Sequence, residues 1–157
     1  MTEIYEQVLE KHNVLLTDLE EAVILHKLTK IDIETKKTIR QVDDLIKYWS
    51  KYYGINRETA EGSSRLQQIK TYRYMVWWSI RNKLVPNNFS LDAIGRIFNR
   101  HHATVLHGLK AVDNWIMYDQ ELRQDLMNAL VAFGFRAEWN AGKKQLNFLK
   151  KGELYQD

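Results

Sequence analysis

Residues Ser90 to Lys110, SLDAIGRIFNRHHATVLHGLK, hold the pattern that most restricts what this chain can fold into. Ser90 suits a helix N-cap, and Asp92 follows in the first turn, where a carboxylate complements the helix dipole. Leu91, Ile94 and Phe98 share one face, and Gly95 has no side chain where two helices can cross closely. A short break at Asn99–His101 precedes a second helix that buries Val105, Leu106, Leu109, Val112 and Ile116. Two short helices joined by a tight turn suit insertion of the second into a DNA major groove. Ordinary helical bundles contain the same arrangement, so the pattern alone leaves both readings open.

Charge separates the two readings. Between Arg65 and Lys110 there are eight basic residues (Arg65, Lys70, Arg73, Arg81, Lys83, Arg96, Arg100 and Lys110) against a single acid, Asp92. The rest of the chain holds 15 bases and 19 acids. Positive charge is therefore gathered around the candidate reading helix, as a duplex-DNA binder requires.

Around this segment the sequence predicts an all-α fold: a helical bundle containing a helix-turn-helix, with helical extensions at both ends. The expected organisation is an N-terminal helical extension over 1–38, the helix-turn-helix domain over 39–118, and a C-terminal helical extension and tail over 119–157. A single proline, Pro86, and seven glycines in 157 residues favour helices. Ile4, Val8 and Leu9 recur at helical intervals up to a stop at Asn13, and 15–28 forms a second helical stretch. Residues 29–36, TKIDIETK, read as a connector. From Thr38 on, Ile39, Val42, Ile46 and Trp49 form one stripe, continued by Tyr52 and Tyr53 and ended by Gly54. A short helix precedes a polar break at Glu61–Ser64. The next helix runs over Thr71–Leu84 with Met75 and Trp78 inward, and Pro86-Asn87-Asn88 closes it. Leu122, Leu126, Leu130 and Val131 mark a last helical stretch that breaks at Phe133–Phe135, ahead of a polar tail.

The run Ile94–Gly108 resembles the C-terminal DNA-binding domain of DnaA, the bacterial chromosomal replication initiator. That family's signature runs roughly I-G-x-x-F-G-G-R-D-H-T-T-V-x-H-A. This chain matches it at Ile94, Gly95, Phe98, Arg100, His102, Thr104, Val105 and His107, with Asn99 standing for the two glycines. Upstream, Ile46–Ile55 resembles the family's first helix, and Ser64-Arg65 and Arg73–Trp78 resemble its basic loop and the long helix after it. The likeness covers about 39–118. It implies backbone and minor-groove contacts near Arg65, Lys70 and Arg73, and recognition by Arg100, His101, His102, Ala103 and Thr104. Arg96 and Lys110 join them as basic residues of the same DNA-binding surface. Two departures alter the chemistry: His101 replaces an aspartate that accepts from cytosine, and Ala103, which can only pack, replaces a threonine. The family's usual nine-base-pair box is therefore not expected to be read unchanged.

The loop G-x-x-x-x-G-K-[ST] of a nucleotide-binding ATPase does not occur in the sequence. The resemblance is thus to a reading head alone, of a kind suited to a phage or mobile element. No enzyme activity, cofactor or metal site is expected. The spacing of His101, His102 and His107 is a poor ligand pattern, and Asp18, Glu20 and Glu21 read as a solvated helix face. Trp77, Trp78, Tyr72 and Tyr74 read as core rather than as a base-stacking platform. With no cysteine and no apolar run near 20 residues, a cytoplasmic protein without a membrane segment is expected.

The expected function is sequence-specific binding of double-stranded DNA, connected with replication initiation or its regulation. A transcriptional regulator with the same head and a protein-interaction module meeting an acidic partner are the alternatives. Residues 2–28 either cap the bundle or form a dimer seam or a docking surface for a replication protein. A monomer or weak dimer is expected.

Overall fold

The computed structural model describes residues 18–62 and 66–150. The helical stretch expected over 2–12, its stop at Asn13 and the end of the tail lie outside the described residues. The chain divides into two compact units, residues 1–41 and 42–157. Helix α1, Asp18–Tyr53, contributes to both.

Within the first unit, the stretch expected from sequence to be a connector is helical. Its β-branched residues have modest helix propensity, but no glycine or proline interrupts it. Threonine hydroxyls in and just beyond it bond back one turn: Thr29 to Leu25 O at 2.8 Å, Thr35 to Ile31 O at 2.9 Å, and Thr38 to Glu34 O at 3.0 Å. Lys36 pairs with Asp32 at 3.2 Å across one turn. A short alternation such as Ile31-Asp-Ile33 is no evidence against a helix when local bonds of this kind are available.

The second unit begins with the end of α1, which Gly54 terminates in the left-handed conformation (φ 67°), with Ile55 N–H donating to Ser50 O at 3.0 Å. Helix α2 (Arg57–Glu61) is short and N-capped by Asn56. Helix α3 (Gln67–Arg81) is the centre of the unit: every residue from Thr71 to Ile80 is buried. Tyr72, Tyr74, Trp77 and Trp78 are core, as expected, although the helix is buried on every side along this length and is not amphipathic there. Trp49 of α1 donates to Ser79 Oγ at 3.0 Å, and Ser79 in turn donates to Met75 O at 2.7 Å, so these two polar groups are matched inside the core, whereas the buried Trp77 indole N–H has no hydrogen-bond partner among the described residues.

Helix α3 stops three residues before the predicted Leu84. Lys83 takes a left-handed conformation (φ 64°), and Leu84 N–H closes onto Ser79 O at 3.1 Å. The chain has turned before Pro86 is reached, so the proline follows the stop instead of causing it.

Helices α4 (Leu91–Arg96) and α5 (His102–Tyr118) follow. Helix α5 packs on α3 at Gly108, where a β-carbon would come within 2.7 Å of Tyr74 Cδ1. Helix α6 (Gln120–Ala132) buries Leu126, Ala129 and Leu130. Its Asp125 accepts hydrogen bonds from Tyr52 at 2.6 Å and Tyr53 at 3.0 Å, pinning it to the end of α1. Val131 is 58% exposed.

The all-α assignment holds, with one small addition. After Gly134 (φ 88°) the chain forms an antiparallel hairpin, β1 (Phe135–Asn140) and β2 (Gln145–Lys150), where the sequence predicts only helix and tail. Phe135, Ala137 and Trp139 pair with Lys150, Phe148 and Leu146. Phe148 meets the ring of Trp78 at 5.7 Å, and Arg123 of α6 lies 3.9 Å over the Trp139 ring. The apolar alternation of Phe135, Ala137 and Trp139 is the signal for a half-buried strand. Among the described residues, no helix is long and apolar enough to cross a membrane.

Candidate nucleic-acid interface

The candidate interface is built on α4, the turn after it, and α5. Ser90 caps α4 by accepting from Ala93 N–H at 3.1 Å. At the other end, Asn99 adopts a left-handed conformation (φ 56°). Its N–H donates to Arg96 O at 3.4 Å, and Arg100 N–H donates to Gly95 O at 2.8 Å. This pair of backbone bonds is a Schellman closure, and asparagine is the residue other than glycine best suited to its left-handed position. One asparagine thus makes the turn.

Helix α5 begins immediately afterwards. His101 is its N-cap, with extended backbone and Nδ1 accepting from Ala103 N–H at 3.2 Å. His102 Nδ1 lies 3.2 Å from Asp92 Oδ1, which ties the start of α5 to the first turn of α4. The two histidine rings sit 4.0 Å apart, centroid to centroid. Val105, Leu109, Val112 and Ile116 face the core. Ala103, Thr104, His107 and Lys110 face away from it. So does Leu106, 42% exposed, against the expectation that it is buried. The difference is one of phase: Val105, Leu109, Val112 and Ile116 already complete the buried stripe, and Leu106 falls beside Ala103 and Lys110. His107 is exposed, with its ring edge-on to Tyr74 at 6.4 Å. The exposed surface of α5 thus includes Leu106, which the family likeness does not mark, beside His107, which it does.

The basic residues divide into two sets. Arg96 and Lys110 are exposed, and Lys70 is half-buried. Arg65 lies outside the described residues. Arg73 is only 5% exposed. Its Nε donates to Ala60 O at 2.8 Å and its Nη2 to Gly62 O at 3.1 Å. That placement departs from the flanking-backbone contact expected of it, because its guanidinium is used to hold the end of α2. Arg100 is half-buried, and Nη1 donates to Phe98 O at 2.9 Å and to Glu61 O and Asn99 O at 3.4 Å. Its Nη2 donates to Gly62 O. Two guanidiniums therefore converge on one carbonyl oxygen. Burial, and after it the Arg100 charge, hold Arg73 below the ordinary arginine range. The pair fastens the segment after α2 to the turn before α5.

Among the described residues, no group of three or more histidine, cysteine, aspartate or glutamate side chains is placed to hold a metal ion. Chemically, the surface offers hydrogen-bonding imidazoles, a hydroxyl, a small apolar patch and dispersed positive charge.

The sequence over this region is similar to known proteins. The family model described as the bacterial dnaA protein helix-turn-helix matches residues 42–112. Similar full-length relatives are chromosomal replication initiator proteins DnaA. That of Desulfatibacillum aliphaticivorans is 35% identical over 77 residues, covering 49% of this chain and 16% of the relative. That of Bacteroides fragilis is 24% identical over 135 residues, covering 80% of this chain and 28% of the relative. That of Thermotoga petrophila is 29% identical over 114 residues, covering 73% and 25%. The chain therefore spans between 16% and 28% of the length of these three relatives.

Proposed function

We propose that this chain, whose residues 42–112 match the family model described as the bacterial dnaA protein helix-turn-helix, binds double-stranded DNA sequence-specifically in replication initiation or its regulation. The observation that carries the reading is the exposed leading end of α5, with His101, His102, Ala103 and Thr104 all facing away from the core. A helix presented in this way enters a major groove by its N-terminal end, where its first backbone N–H groups also favour phosphate.

The roles divide by chemistry. His101, His102 and Thr104 meet base edges or nearby phosphates. Ala103 and Leu106 offer apolar contact, of the kind a thymine methyl accepts. Arg96, Lys110, Lys70 and Arg65 neutralise backbone phosphates. Arg73 and Arg100 act as positioning residues through the Gly62 carbonyl. A replication protein as further partner accords with the initiator relatives.

Selection of bound sequences from a random duplex library, followed by fluorescence anisotropy on the winners, tests the proposal. The expected outcome is a defined motif and an affinity that falls with salt. If about four phosphates are neutralised, log K falls against log salt with a slope of about −3 to −5. Negligible affinity for any duplex at low salt would reject DNA binding and leave the basic surface to an acidic protein partner. Where the bound sites lie in a genome, at an origin or at promoters, separates replication from transcriptional control.

A further inference from the structure

The two adjacent histidines at the head of α5 are held in opposite hydrogen-bonding states. His101 Nδ1 accepts from Ala103 N–H at 3.2 Å, so the proton of its neutral ring resides on Nε2. His102 Nδ1 faces the Asp92 carboxylate at 3.2 Å, so there Nδ1 carries the proton. The backbone N–H of Ala103 thus selects one tautomer for the first ring, and the Asp92 carboxylate selects the other for the second. Both side chains are exposed. The outward nitrogen of His101 is a donor because its inward nitrogen is already the helix cap.

Resting on the DNA-binding reading above, we infer that His101 reads an acceptor on the major-groove edge of the base it faces, guanine above all, through Nε2–H. Guanine offers two major-groove acceptors, O6 and N7, whereas adenine and thymine offer one each and cytosine offers only an amino donor. A donor aimed at cytosine leaves two donors face to face, and both lose their water partners without compensation. Cytosine on the contacted strand is therefore the base this residue rejects. The role is one of specificity, and it comes from the cap geometry instead of from residue type, since a free histidine can serve either way.

Two substitutions separate donor from acceptor while keeping the cap. Asparagine and aspartate are both good N-caps, each able to accept from Ala103 N–H with one oxygen. The remaining group of asparagine is a donor, and that of aspartate is an acceptor. Random-duplex selection with the wild type, His101→Asn and His101→Asp reads the preferred base at the contacted position, and thermal melts of all three verify that the fold is retained. The wild type is expected to select an acceptor-bearing base there. His101→Asn is expected to keep that preference with weaker binding. His101→Asp is expected to turn the preference towards cytosine, with discrimination on the order of tenfold to a hundredfold. Nitrogen-15 NMR of the DNA-free protein is an independent readout, expected to show His101 protonated at Nε2 and His102 at Nδ1. Cytosine selected by the wild type, one unchanged preference across the three proteins, or His101 protonated at Nδ1 would each overturn the inference while leaving DNA binding intact. Failure of the wild type to bind any duplex would overturn both.

Discussion

The carbonyl oxygen of Arg100 occupies the space that a β-carbon on Gly95 would need, while Arg100 N–H donates back to Gly95 O at 2.8 Å. The two ends of the turn are thus in backbone-to-backbone contact, and no rotamer change can relieve a side chain placed between them. Gly95→Ala is expected to destabilise the protein by about 1–3 kcal/mol, the usual cost of overpacking. Thermal denaturation measures it. Because the substitution displaces the start of α5 as a body, affinity is expected to drop for every duplex sequence alike.

Arg100 is expected to behave as a brace. Its guanidinium is spent on the carbonyls of Glu61, Gly62, Phe98 and Asn99. Arg100→Ala is expected to lower the melting temperature and weaken selected and random duplexes in the same proportion. Arg100→Lys is expected to rescue little of the loss, because one ammonium cannot span carbonyls that a planar fork reaches. Parallel titrations with a selected and a scrambled duplex decide the matter, since a base-reading role would relax sequence preference.

Arg96 and Lys110 stand in contrast, exposed on the two helices of the motif. Alanine at either is expected to leave the melting temperature unchanged. It is expected to make the salt slope shallower by about 1 for each phosphate that is no longer neutralised. Anisotropy titrations across a range of salt concentrations supply the slope, and an unchanged slope removes that residue from the phosphate-binding set.

The turn itself invites a test at Asn99, whose φ is 56°. Asn99→Val is expected to cost about 1–2 kcal/mol, the penalty for a β-carbon in the left-handed region. Asn99→Gly is expected to retain the turn. Denaturant melts of the pair compare conformational cost at one site with nothing else altered.

Tyr53 supplies a prediction about pH. Burial, followed by the Asp125 charge and the hydrogen bond to that carboxylate, raises its phenol well above the ordinary tyrosine range. The unfolded chain releases this proton near pH 10 while the folded protein keeps it. Its contribution to stability is therefore complete below about pH 10 and declines as pH rises beyond that value. Tyr53→Phe is expected to cost about 1 kcal/mol at neutral pH and to flatten the alkaline decline. Chemical denaturation at a series of pH values measures both.

Much of this molecule is legible from residue type and spacing. Ser90, Gly54, Gly95 and the Val105–Ile116 stripe announce themselves, because caps, crossings and buried faces each demand particular chemistry. What escapes is decided by tertiary partners. Nothing local distinguishes Arg73 from a backbone-contacting arginine or Arg100 from a base-reading one, because the carbonyls that engage them include those of Ala60, Glu61 and Gly62, on another part of the chain. The hairpin escapes although Phe135, Ala137 and Trp139 alternate as a half-buried strand does, because so short an alternation is a weak signal until Trp78 and α6 lie beneath it. Leu106 is misplaced because an apolar residue beside a buried stripe reads as core until the stripe's phase is fixed.

Ten successive buried positions in α3 mean that this helix has no solvent side along that length. A chain built in this way has little freedom to drift at its centre, where a change of one side chain disturbs neighbours in every direction. The outer surface of α5, by contrast, can be rewritten letter by letter without reaching that interior. On the proposed DNA-binding reading, a handful of substitutions on that one exposed helix opens such a scaffold to new target sequences.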